Sequence, residues 1–417
     1  MKFVLITNND SDGIGQPVIK LFKNLLKEGH QAKILTLHKS LNNSKIIKIK
    51  RSFLTRLFSF LLNFLKKNFN ELFWFNLSTI NFISIKKYLK PADIVIIYTF
   101  HKFISSKILE QILKEKKNVF LRPLDMEIIS GGCHFNQSCD EFTKNCNNCP
   151  KLNFDRILGI ANKNLLAKKK IVKKYKPKVI VQNHYVEQLI KRSNVFKNFK
   201  PIKIAVGVSK DRSNFFSKKY ARKKLGLDLN EKIILFTTYN LSSYNKGGHL
   251  LKESLKILEE KFLSNEVINC RLVTLGNKNG FETNLKKIKH SNKGVVTSDH
   301  QLNLYYRAAD VLVSPSLYDF GPHVVNESVS NDLPVVSYKV GTANDVIVNG
   351  INGFLVSCYD THKFAKFVYE IIYKKTNFKN KNLKKRIKSL RSGKYEALSF
   401  IRLSHKYLKN NKNYEKK

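Results

Sequence analysis

Residues 311–341 narrow the choice of fold more than any other stretch, because apolar and loop-forming segments alternate there. VLVSPS (311–316) is a short uncharged run rich in β-branched residues, and it predicts a strand buried on both faces. A Gly-Pro pair at 321–322 interrupts the run; HVVNESVSN (323–331) then has helical spacing, and LPVVSYKVG (333–341) returns as a second buried strand. The sequence predicts a βαβ unit whose loop lies at the carboxyl end of a parallel strand, where open α/β sheets bind ligands.

Two acidic residues flank the start of this predicted helix. Asp319 precedes the helix and Glu327, eight residues further on, lies about one turn inside it. This separation is at most about 12 Å along a helix, so the carboxylates cannot share one atom but could hold two ends of an elongated ligand. The helix N-terminus between them suits a phosphate because it offers unpaired N–H groups and a positive dipole end. A nucleotide-sugar has this shape; the alternative is a Rossmann-like unit whose acids only cap and solvate the helix.

The residues of this stretch also follow a familiar order. Pro315-Ser316 ends the strand, seven residues separate Asp319 from Glu327, and Pro334-Val335-Val336 opens a strand that ends at Val340-Gly341. In this order they resemble the nucleotide-sugar motif of family 4 retaining glycosyltransferases, the group 1 transferases with the GT-B fold. Asp319 stands where the first acid of that family is more often Glu. The resemblance covers nearly the whole chain and implies an α/β protein with two Rossmann-like domains that face a cleft. A C-terminal helix would cross back to the first domain.

Residues 1–200 are predicted to form the first of these domains, to which the resemblance assigns the acceptor. A glycine-containing loop follows the first strand, and Gly15 in this loop is expected to let the backbone approach the donor. An ordinary tight turn is the alternative for that loop. His101 follows the buried strand DIVIIYT (93–99), where relatives direct an aromatic-histidine pair into the cleft. His101 is therefore a candidate for catalysis and for sugar contact, although a lone histidine is also a common structural hydrogen-bonding residue.

Two further acceptor or sugar contacts are expected after the next strand, VFLRPLD (119–125). Asp125 ends this strand, and His134 lies nine residues beyond it. Many relatives have His-Asp where this chain has Leu124-Asp125. The run Gly-Gly-Cys-His (131–134) resembles an insertion found in a subset of the family that builds bacterial capsules, exopolysaccharides and O-antigens.

Cysteines are concentrated in the segment that follows. Four of the six, Cys133, Cys139, Cys146 and Cys149, lie within 17 residues. The last pair has the two-residue gap of a zinc knuckle, and four thiolates can form a closed tetrahedral site. The other gaps, of five and six residues, do not follow a standard zinc-finger pattern. Free thiols and two disulfides are the alternatives to the structural zinc ion that we expect. No catalytic metal is expected, because GT-B relatives transfer sugars without a divalent cation.

Residues 201–375 are predicted to form the second Rossmann-like domain, which would bind the nucleotide-sugar. Lys246-Gly247 matches a lysine-glycine pair of the family, whose lysine supports the donor diphosphate. A lysine at a helix N-terminus is otherwise unfavourable against the helix dipole, so a phosphate partner explains its position. The arginine that relatives carry a few residues upstream is absent from 237–245. Residues 376–417 are expected to comprise a basic segment and the C-terminal crossover helix.

The resemblance also implies roles for individual residues of the donor site. Glu327 would accept hydrogen bonds from the ribose hydroxyls, and Asp319 would orient the sugar ring. Lys246 and the N–H groups of residues 321–324 would hold the leaving diphosphate, since preorganised donors aimed at a developing anion usually supply the largest catalytic effect. Catalysis is thus expected from Asp319, Glu327, Lys246 and His101. Further donor contacts are expected from Phe320, Gly321, Pro322, His323 and Val324.

Composition limits the partners of the chain. Its 417 residues are 42% hydrophobic, which is enough for two ordinary globular domains. Lys and Arg number 76 against 31 acids, and the net charge of +45 predicts attraction to anions. Because the basic residues are spread along the chain without a nucleic-acid motif, we expect a compositional bias and an anionic membrane surface rather than nucleic acid. No apolar run has the length of a signal peptide core or a membrane span, so the protein is expected in the cytoplasm, peripheral at the inner face of the membrane.

Residues 52–83 are rich in aromatic and aliphatic side chains and contain Trp74, the single tryptophan. Within this segment, LTRLFSFLLNFLKK (54–67) has the pattern of an amphipathic helix. Such a helix either lies in a membrane interface or packs into the core. The core is the placement we expect.

These features predict a hexosyltransferase that moves a sugar from a nucleoside diphosphate sugar to a glycan acceptor, lipid-linked, in cell-surface polysaccharide synthesis. The family resemblance implies retention of the anomeric configuration by same-face attack. Three alternatives stay open. The protein could be a GT-B epimerase or phosphorylase, a degenerate member that only binds its ligand, or, on charge alone, a nucleic-acid-binding protein.

Overall fold

The computed structural model describes residues 1–11, 13–68, 72–116, 118–208, 216–262, 269–374, 385, 387 and 389–414. The chain divides into two compact units. Unit 1 takes in residues up to Ala205 together with the last helix from Glu396 onward, and unit 2 runs from Val206 to Tyr395. Of the predicted basic segment, residues 376–384, 386 and 388 lie outside the described part of the chain.

The described residues of unit 1 form one parallel sheet of seven strands, β1 (Lys2–Asn9), β2 (Gln31–His38), β3 (Ile46–Lys48), β4 (Ile94–Ile97), β5 (Val119–Leu121), β6 (Lys178–Val181) and β7 (Ile202–Lys203). The strand order is β3-β2-β1-β4-β5-β6-β7, so the chain reverses direction across the sheet between β1 and β4. The strands are short and apolar because helices cover both faces of the sheet. The helices of unit 1 are α1 (Gly15–Lys27), α2 (Phe53–Leu61), α3 (Ile83–Leu89), α4 (Ser106–Glu115), α5 (Asp155–Leu158), α6 (Ile160–Tyr175) and α7 (His184–Arg192).

Unit 2 contains a second parallel sheet. Its described strands are β8 (Lys232–Asn240), β9 (Cys270–Asn277), β10 (Ile288–Asn292), β11 (Val311–Ser314), β12 (Val335–Tyr338) and β13 (Gly353–Val356). They follow the order β10-β9-β8-β11-β12-β13, and the chain reverses direction between β8 and β11. The remaining helices are α8 (Lys218–Leu225), α9 (Gly248–Ile257), α10 (Asp299–Ala308), α11 (His323–Ser330), α12 (Ala343–Val346), α13 (Thr361–Ile372) and α14 (Gly393–Tyr414). The predicted strand-loop-helix-strand unit is therefore β11, α11 and β12.

Most of α14 packs on the sheet of unit 1. Phe400 of α14 meets Phe120 of β5 with ring centroids 6.4 Å apart. The guanidinium of Arg122 lies 2.7 Å from the carboxylate of Glu396, and both side chains are buried. This buried ion pair and the aromatic contact attach the C-terminal helix to the strands of unit 1.

The segment 52–83 divides into two parts with different surroundings. Phe73 and Trp74 are 1% exposed and belong to the interior, as predicted. The core placement is wrong for α2 and the 3₁₀ turn after it (Leu62–Leu65), because Phe60 is 63% exposed and Phe64 is 61% exposed. Helical periodicity identifies an apolar face but not what covers it, so the same pattern fits a core helix and an uncovered one. Among the described residues, none of the helices has the length and apolar character needed to cross a membrane.

Candidate functional site

The predicted donor residues follow two neighbouring strands of unit 2. Lys246 lies in the loop after β8, within a 3₁₀ turn, and Asp319 lies in the loop after β11. In a parallel sheet, the loops after the two strands at a reversal point diverge and leave a crevice beyond the carboxyl ends of the strands. The order of the sheet places this reversal between β8 and β11. The topology thus brings Lys246 and Asp319, 73 residues apart in sequence, to the place where such sheets bind ligands.

Lys246 and Asp319 form an ion pair, with Nζ of the lysine 2.5 Å from Oδ2 of the aspartate. The other carboxylate oxygen of Asp319 accepts a hydrogen bond of 2.7 Å from the N–H of Gly321. Burial opposes ionisation of Asp319, but Lys246 and the Gly321 N–H outweigh it, and the pKa of Asp319 is lowered. Asp319 is therefore a fixed carboxylate at neutral pH, while the side chain of Lys246 keeps 30% of its surface exposed to a ligand.

The lysine-glycine pair is explained by the close approach of the two loops. Gly247 has a φ of +71°, and a Cβ atom at this position would overlap the backbone oxygen of Pro315. The N–H of Leu317 donates a 2.9 Å hydrogen bond to the backbone oxygen of Asn245. Only glycine adopts this backbone conformation at so tight a contact without strain. Gly247 thus lets the Lys246 loop lie against the Asp319 loop.

Helix α11 begins at His323, and Pro322 is its N-cap. The expectation that residues 321–324 all offer N–H groups to a phosphate is wrong at two positions. Proline has no N–H, and the N–H of Gly321 is bonded to Asp319. His323 and Val324 supply the N–H groups of the first turn. Phe320 is only 2% exposed and packs inside the unit.

Glu327 lies on α11 and has a partner that the sequence did not reveal. Its carboxylate accepts a 2.7 Å hydrogen bond from the hydroxyl of Tyr306, on α10. Burial, together with the charge of Glu327, raises the pKa of Tyr306 well above its ordinary value, so the phenol remains a donor. Glu327 itself is only partly buried. Tyr306 therefore orients a carboxylate that retains access to solvent.

Asn326, next to Glu327, is a second residue that sequence reasoning missed. It is 3% exposed, and neither polar atom of its side-chain amide makes a hydrogen bond to the described residues. Buried polar groups are nearly always paired, so an unpaired amide requires an explanation. A ligand hydroxyl near Glu327 is one such explanation.

In unit 1, Gly15 begins α1 directly after the β1 loop. A Cβ atom at Gly15 would come within 2.8 Å of the backbone oxygen of Asn9. The loop is also fixed by Asp10, whose carboxylate accepts hydrogen bonds of 2.8 and 3.0 Å from the N–H groups of Ser40 and Leu41. The packing of its own loop is therefore sufficient to explain a glycine at this position. Donor contact by Gly15 stays a prediction.

The three acceptor candidates of unit 1 come together around a residue that was not predicted, Glu127. Nδ1 of His101 lies 3.2 Å from Oε1 of Glu127. Nδ1 of His134 lies 3.5 Å from Oδ2 of Asp125 and 3.7 Å from Oε1 of Glu127. His101 follows β4 and the two acids follow β5, the adjacent strand, so the sheet order explains the grouping. We call these four residues the acid–histidine cluster.

Charge within this cluster is balanced by its own members. Burial and the neighbouring charge of Glu127 raise the pKa of Asp125. Burial also opposes ionisation of Glu127, but His101 and His134 outweigh it and lower the pKa of Glu127. Lys168 stands nearby, and its ammonium donates a 2.6 Å hydrogen bond to the backbone oxygen of Glu127. The cluster is thus a buried set of hydrogen-bonding groups with counter-charges at hand.

The metal ligands to consider among the described residues are one closely spaced group and the four cysteines predicted to bind zinc. Asp125, Glu127 and His134 bring three ligand atoms within 4.8 Å of one another, a spacing that no other group of acids, histidines and cysteines in the described chain meets. The positive charge of Lys168, next to Asp125 and Glu127, would repel a cation bound to this group. The predicted zinc ligands, Cys133, Cys139, Cys146 and Cys149, are all free thiols and line a single pocket. Burial raises the pKa of Cys146 and of Cys149 to about 12.

Part of the chain is similar to a known family. The family model described as "Glycosyl transferases group 1" matches residues 217–390. A curated relative, D-inositol 3-phosphate glycosyltransferase of Xylanimonas cellulosilytica, is 29% identical over 154 residues, and the match covers 34% of each chain. The chain thus aligns with about a third of the length of that relative.

Solved structures resemble the chain over nearly its full length. Sucrose-phosphate synthase from Thermosynechococcus elongatus has a TM-score of 0.69 at 17% identity and matches 98% of this chain and 100% of its own. Anabaena HepE in complex with UDP-glucose has a TM-score of 0.63 at 13% identity, with the same coverage. The predicted fold class, α/β with two Rossmann-like parallel-sheet domains, is confirmed. The chain therefore has the GT-B fold, and its residues 217–390 match the family model of the group 1 glycosyltransferases.

Proposed function

We propose that the protein is a hexosyltransferase that takes a sugar from a nucleoside diphosphate sugar bound at unit 2. The observation that carries this proposal is the ion pair of Lys246 with Asp319 at the reversal point between β8 and β11. This is the crevice in which parallel sheets bind nucleotides, and it presents a half-buried ammonium to an anion. The UDP-glucose held by the structurally similar HepE supports UDP-sugars as the first donors to test.

Each donor-site residue then has a distinct task. Lys246 and the first-turn N–H groups of α11 would neutralise the diphosphate as it leaves, so the protein itself supplies the charge stabilisation without a catalytic metal. Glu327, oriented by Tyr306, would accept hydrogen bonds from the ribose hydroxyls. Asp319 would keep Lys246 in position and orient the sugar ring. The anomeric configuration would be retained by attack from the face that the diphosphate leaves.

The acceptor would bind at unit 1, where the acid–histidine cluster offers several hydrogen-bonding groups. The imidazoles of His101 and His134 each keep 19% of their surface exposed, while Glu127 behind them is fully buried. Glu127 would therefore act as a positioning residue that orients both rings toward a glycan hydroxyl. The Gly-Gly-Cys-His run at 131–134 supports an acceptor of the kind used in capsule, exopolysaccharide or O-antigen synthesis.

We further propose that the acceptor is lipid-linked and that unit 1 docks on an anionic membrane. Two segments of unit 1 expose large apolar side chains, which we call the apolar surface: Phe53, Phe58, Phe60, Phe64, Phe154 and Ile157. A backbone hydrogen bond joins the two segments, from the N–H of Asn153 to the oxygen of Leu65 at 2.7 Å. Exposed apolar surface of this extent usually marks an interaction site.

Cations around the apolar surface favour lipid as its partner. Arg56, Lys67 and Arg156 are exposed in the same two segments. Burial lowers the pKa of Arg51, and the charge of the nearby Arg56 lowers it further. Aromatic side chains that enter the headgroup region next to such cations are typical of helices that lie on anionic bilayers.

Vesicle flotation tests the docking proposal. The wild type is expected to float with vesicles of phosphatidylcholine and phosphatidylglycerol and to float less with phosphatidylcholine alone. Replacing Phe58, Phe60 and Phe64 by Ser should abolish flotation, whereas Val295→Ser, an exposed apolar position of unit 2, should not. Equal flotation of the triple variant and the wild type would overturn membrane docking through the apolar surface.

Sugar transfer itself is tested with membrane extracts as the source of lipid-linked acceptors. Radiolabelled sugar is expected to pass from one nucleotide-sugar into the lipid fraction, with release of a nucleoside diphosphate. The anomeric configuration of the product, read by NMR, should match that of the donor. Isomerised donor without transfer would instead identify an epimerase. Release of sugar phosphate from a glycan on addition of inorganic phosphate, without a nucleotide-sugar, would identify a phosphorylase.

A further inference from the structure

We propose that Cys133, Cys139, Cys146 and Cys149 bind one structural zinc ion in unit 1. All four line the same pocket. The pocket brings together residues from both ends of a 17-residue segment, so the gaps between the cysteines, unusual for a zinc finger, do not prevent the thiols from converging. Four thiolates leave no open coordination position, which is typical of a structural rather than a catalytic ion.

The backbone around the pocket supports this assignment. Cys146 and Asn148, within the Cys-x-x-Cys pair, have φ values of +53° and +52°. Left-handed conformations at residues other than glycine persist only where the surroundings hold them in place. The N–H of Gly131 donates a 3.2 Å hydrogen bond to Sγ of Cys146. A backbone N–H directed at a sulfur stabilises a metal-bound thiolate, as outer-shell hydrogen bonds do for metal ligands generally.

The cysteine-containing segment has little regular structure of its own. Between Ser130 and Leu152, the one helical element of the described chain is the 3₁₀ turn Glu141–Thr143. Backbone hydrogen bonds to a neighbouring segment hold the two ends of the cysteine-containing segment, from the N–H of Trp74 to the oxygen of Gly132 and from the N–H of Lys67 to the oxygen of Lys151. A bound metal ion would add directly to the folding free energy of the residues between them. The thiols are free in this structure, so a disulfide does not provide a cross-link here.

Charge around the pocket matches a zinc tetrathiolate, which carries two net negative charges. Lys168 is fully buried and close enough to Cys133 and Cys146 to interact with them electrostatically. Lys151 is 6% exposed and lies near Cys133. Lysines are rarely buried without negative partners. Lys168 already has Asp125 and Glu127 as negative neighbours, and a tetrathiolate would add further negative charge beside both lysines.

Binding requires a small rearrangement of side chains. No three of the described cysteines have sulfur atoms within 4.8 Å of one another, while Zn–S bonds are about 2.3 Å long. Rotation of the thiols into the pocket would close this gap. The bound ion would then fix the loop that carries His134, the residue after Cys133. Zinc content can be measured without any assay of sugar transfer, so this proposal and the proposed function fail independently.

The test is the metal content of the full chain, purified under reducing conditions and measured by mass spectrometry of the elements. About one zinc per chain is expected, by analogy with other four-cysteine sites. Cys146→Ser should lose the zinc, whereas Cys358→Ser, a thiol of unit 2 outside the pocket, should retain it. Phenanthroline should lower the melting temperature of the wild type, and Co²⁺ in place of zinc should give the visible absorption of a tetrahedral thiolate site.

The Co²⁺ and chelator measurements use the wild type, so they decide the question even if Cys146→Ser fails to fold. Metal-free protein whose melting temperature does not respond to added Zn²⁺ under reducing conditions would overturn the proposal. Iron and sulfide in place of zinc, or two disulfides in the native protein, would overturn it as well. A metal that survives in Cys146→Ser would exclude the pocket as its site.

Discussion

The ion pair between Lys246 and Asp319 gives the sharpest prediction. Lys246→Met keeps the length of the side chain but removes the ammonium that lies 2.5 Å from the Asp319 carboxylate. Breaking a fully buried pair costs about 3–5 kcal/mol, and a charged hydrogen bond is worth about 1.5–3 kcal/mol. Because the lysine side chain is 30% exposed, we expect the free energy of unfolding to fall by about 2 kcal/mol, within the range for a charged hydrogen bond. The change also removes the proposed charged hydrogen bond to the diphosphate. If that bond is worth about 2 kcal/mol, UDP should bind about 30-fold more weakly, since each tenfold step in affinity is about 1.4 kcal/mol.

A double-mutant cycle with Asp319→Asn isolates the pair. The double variant is expected to be more stable than the sum of the single losses predicts, by about 1–2 kcal/mol, because no uncompensated charge remains. The pKa of Asp319 is lowered in the folded protein, so this contribution is fully present above the ordinary aspartate value of about 3.9. It should disappear only in acid, as the pH falls through the lower folded value.

Stability has to be measured in unit 2, since Trp74, the only tryptophan, belongs to unit 1. Native-state hydrogen exchange of peptides from β8 and β11 reports the opening free energy of the relevant sheet. Fluorescence of Trp74 serves as an internal control and should not change. Additive losses in the cycle, or unchanged UDP binding by Lys246→Met, would refute the reasoning.

Three further changes follow from the structure. Tyr306→Phe removes the hydrogen bond that orients Glu327. A hydrogen bond of this kind is worth about 1 kcal/mol, so the affinity for the donor, measured by calorimetry, should fall about fivefold. Asn326→Leu removes an unpaired buried amide, so hydrogen exchange should show equal or greater stability, while UDP-sugar affinity falls if the amide meets a ligand hydroxyl. The pKa of Asp125 is raised to about 7 in the folded protein, so ionising this carboxyl group disfavours the folded state. As the pH rises from about 4 to about 7, the melting temperature of the wild type should therefore fall relative to that of Asp125→Asn.

The donor motif was predictable from sequence because it lies within one βαβ unit. Asp319, Glu327 and the flanking strands are close in sequence, and periodicity with turn chemistry identifies such units. The partners of these residues were not predictable, because they depend on which strands are neighbours in the sheet. Lys246 lies 73 residues from Asp319, and Tyr306 lies 21 residues from Glu327. The functional roles of all these residues stay predictions.

Unit 1 shows the same limit for a different reason. His101, Asp125 and His134 were singled out one by one, but Glu127, which joins them, carries no sequence signal beyond its proximity to Asp125. The exposed helix α2 shows that an apolar stripe does not reveal whether protein or lipid covers it. The strand order of the sheet explains why Glu127 lies beside the histidines, and the solvent exposure of α2 shows that the described residues do not cover its apolar face.

Calorimetric titration of the full chain with UDP-, GDP- and ADP-sugars tests directly whether unit 2 is a nucleotide-sugar site. One donor is expected to bind, with binding lost or weakened at least tenfold in Glu327→Ala. Glu282→Ala, at a fully exposed glutamate of the same unit that pairs with Lys278, should bind like the wild type. Absence of binding for every donor, or equal binding by the wild type and Glu327→Ala, would contradict the proposed donor site.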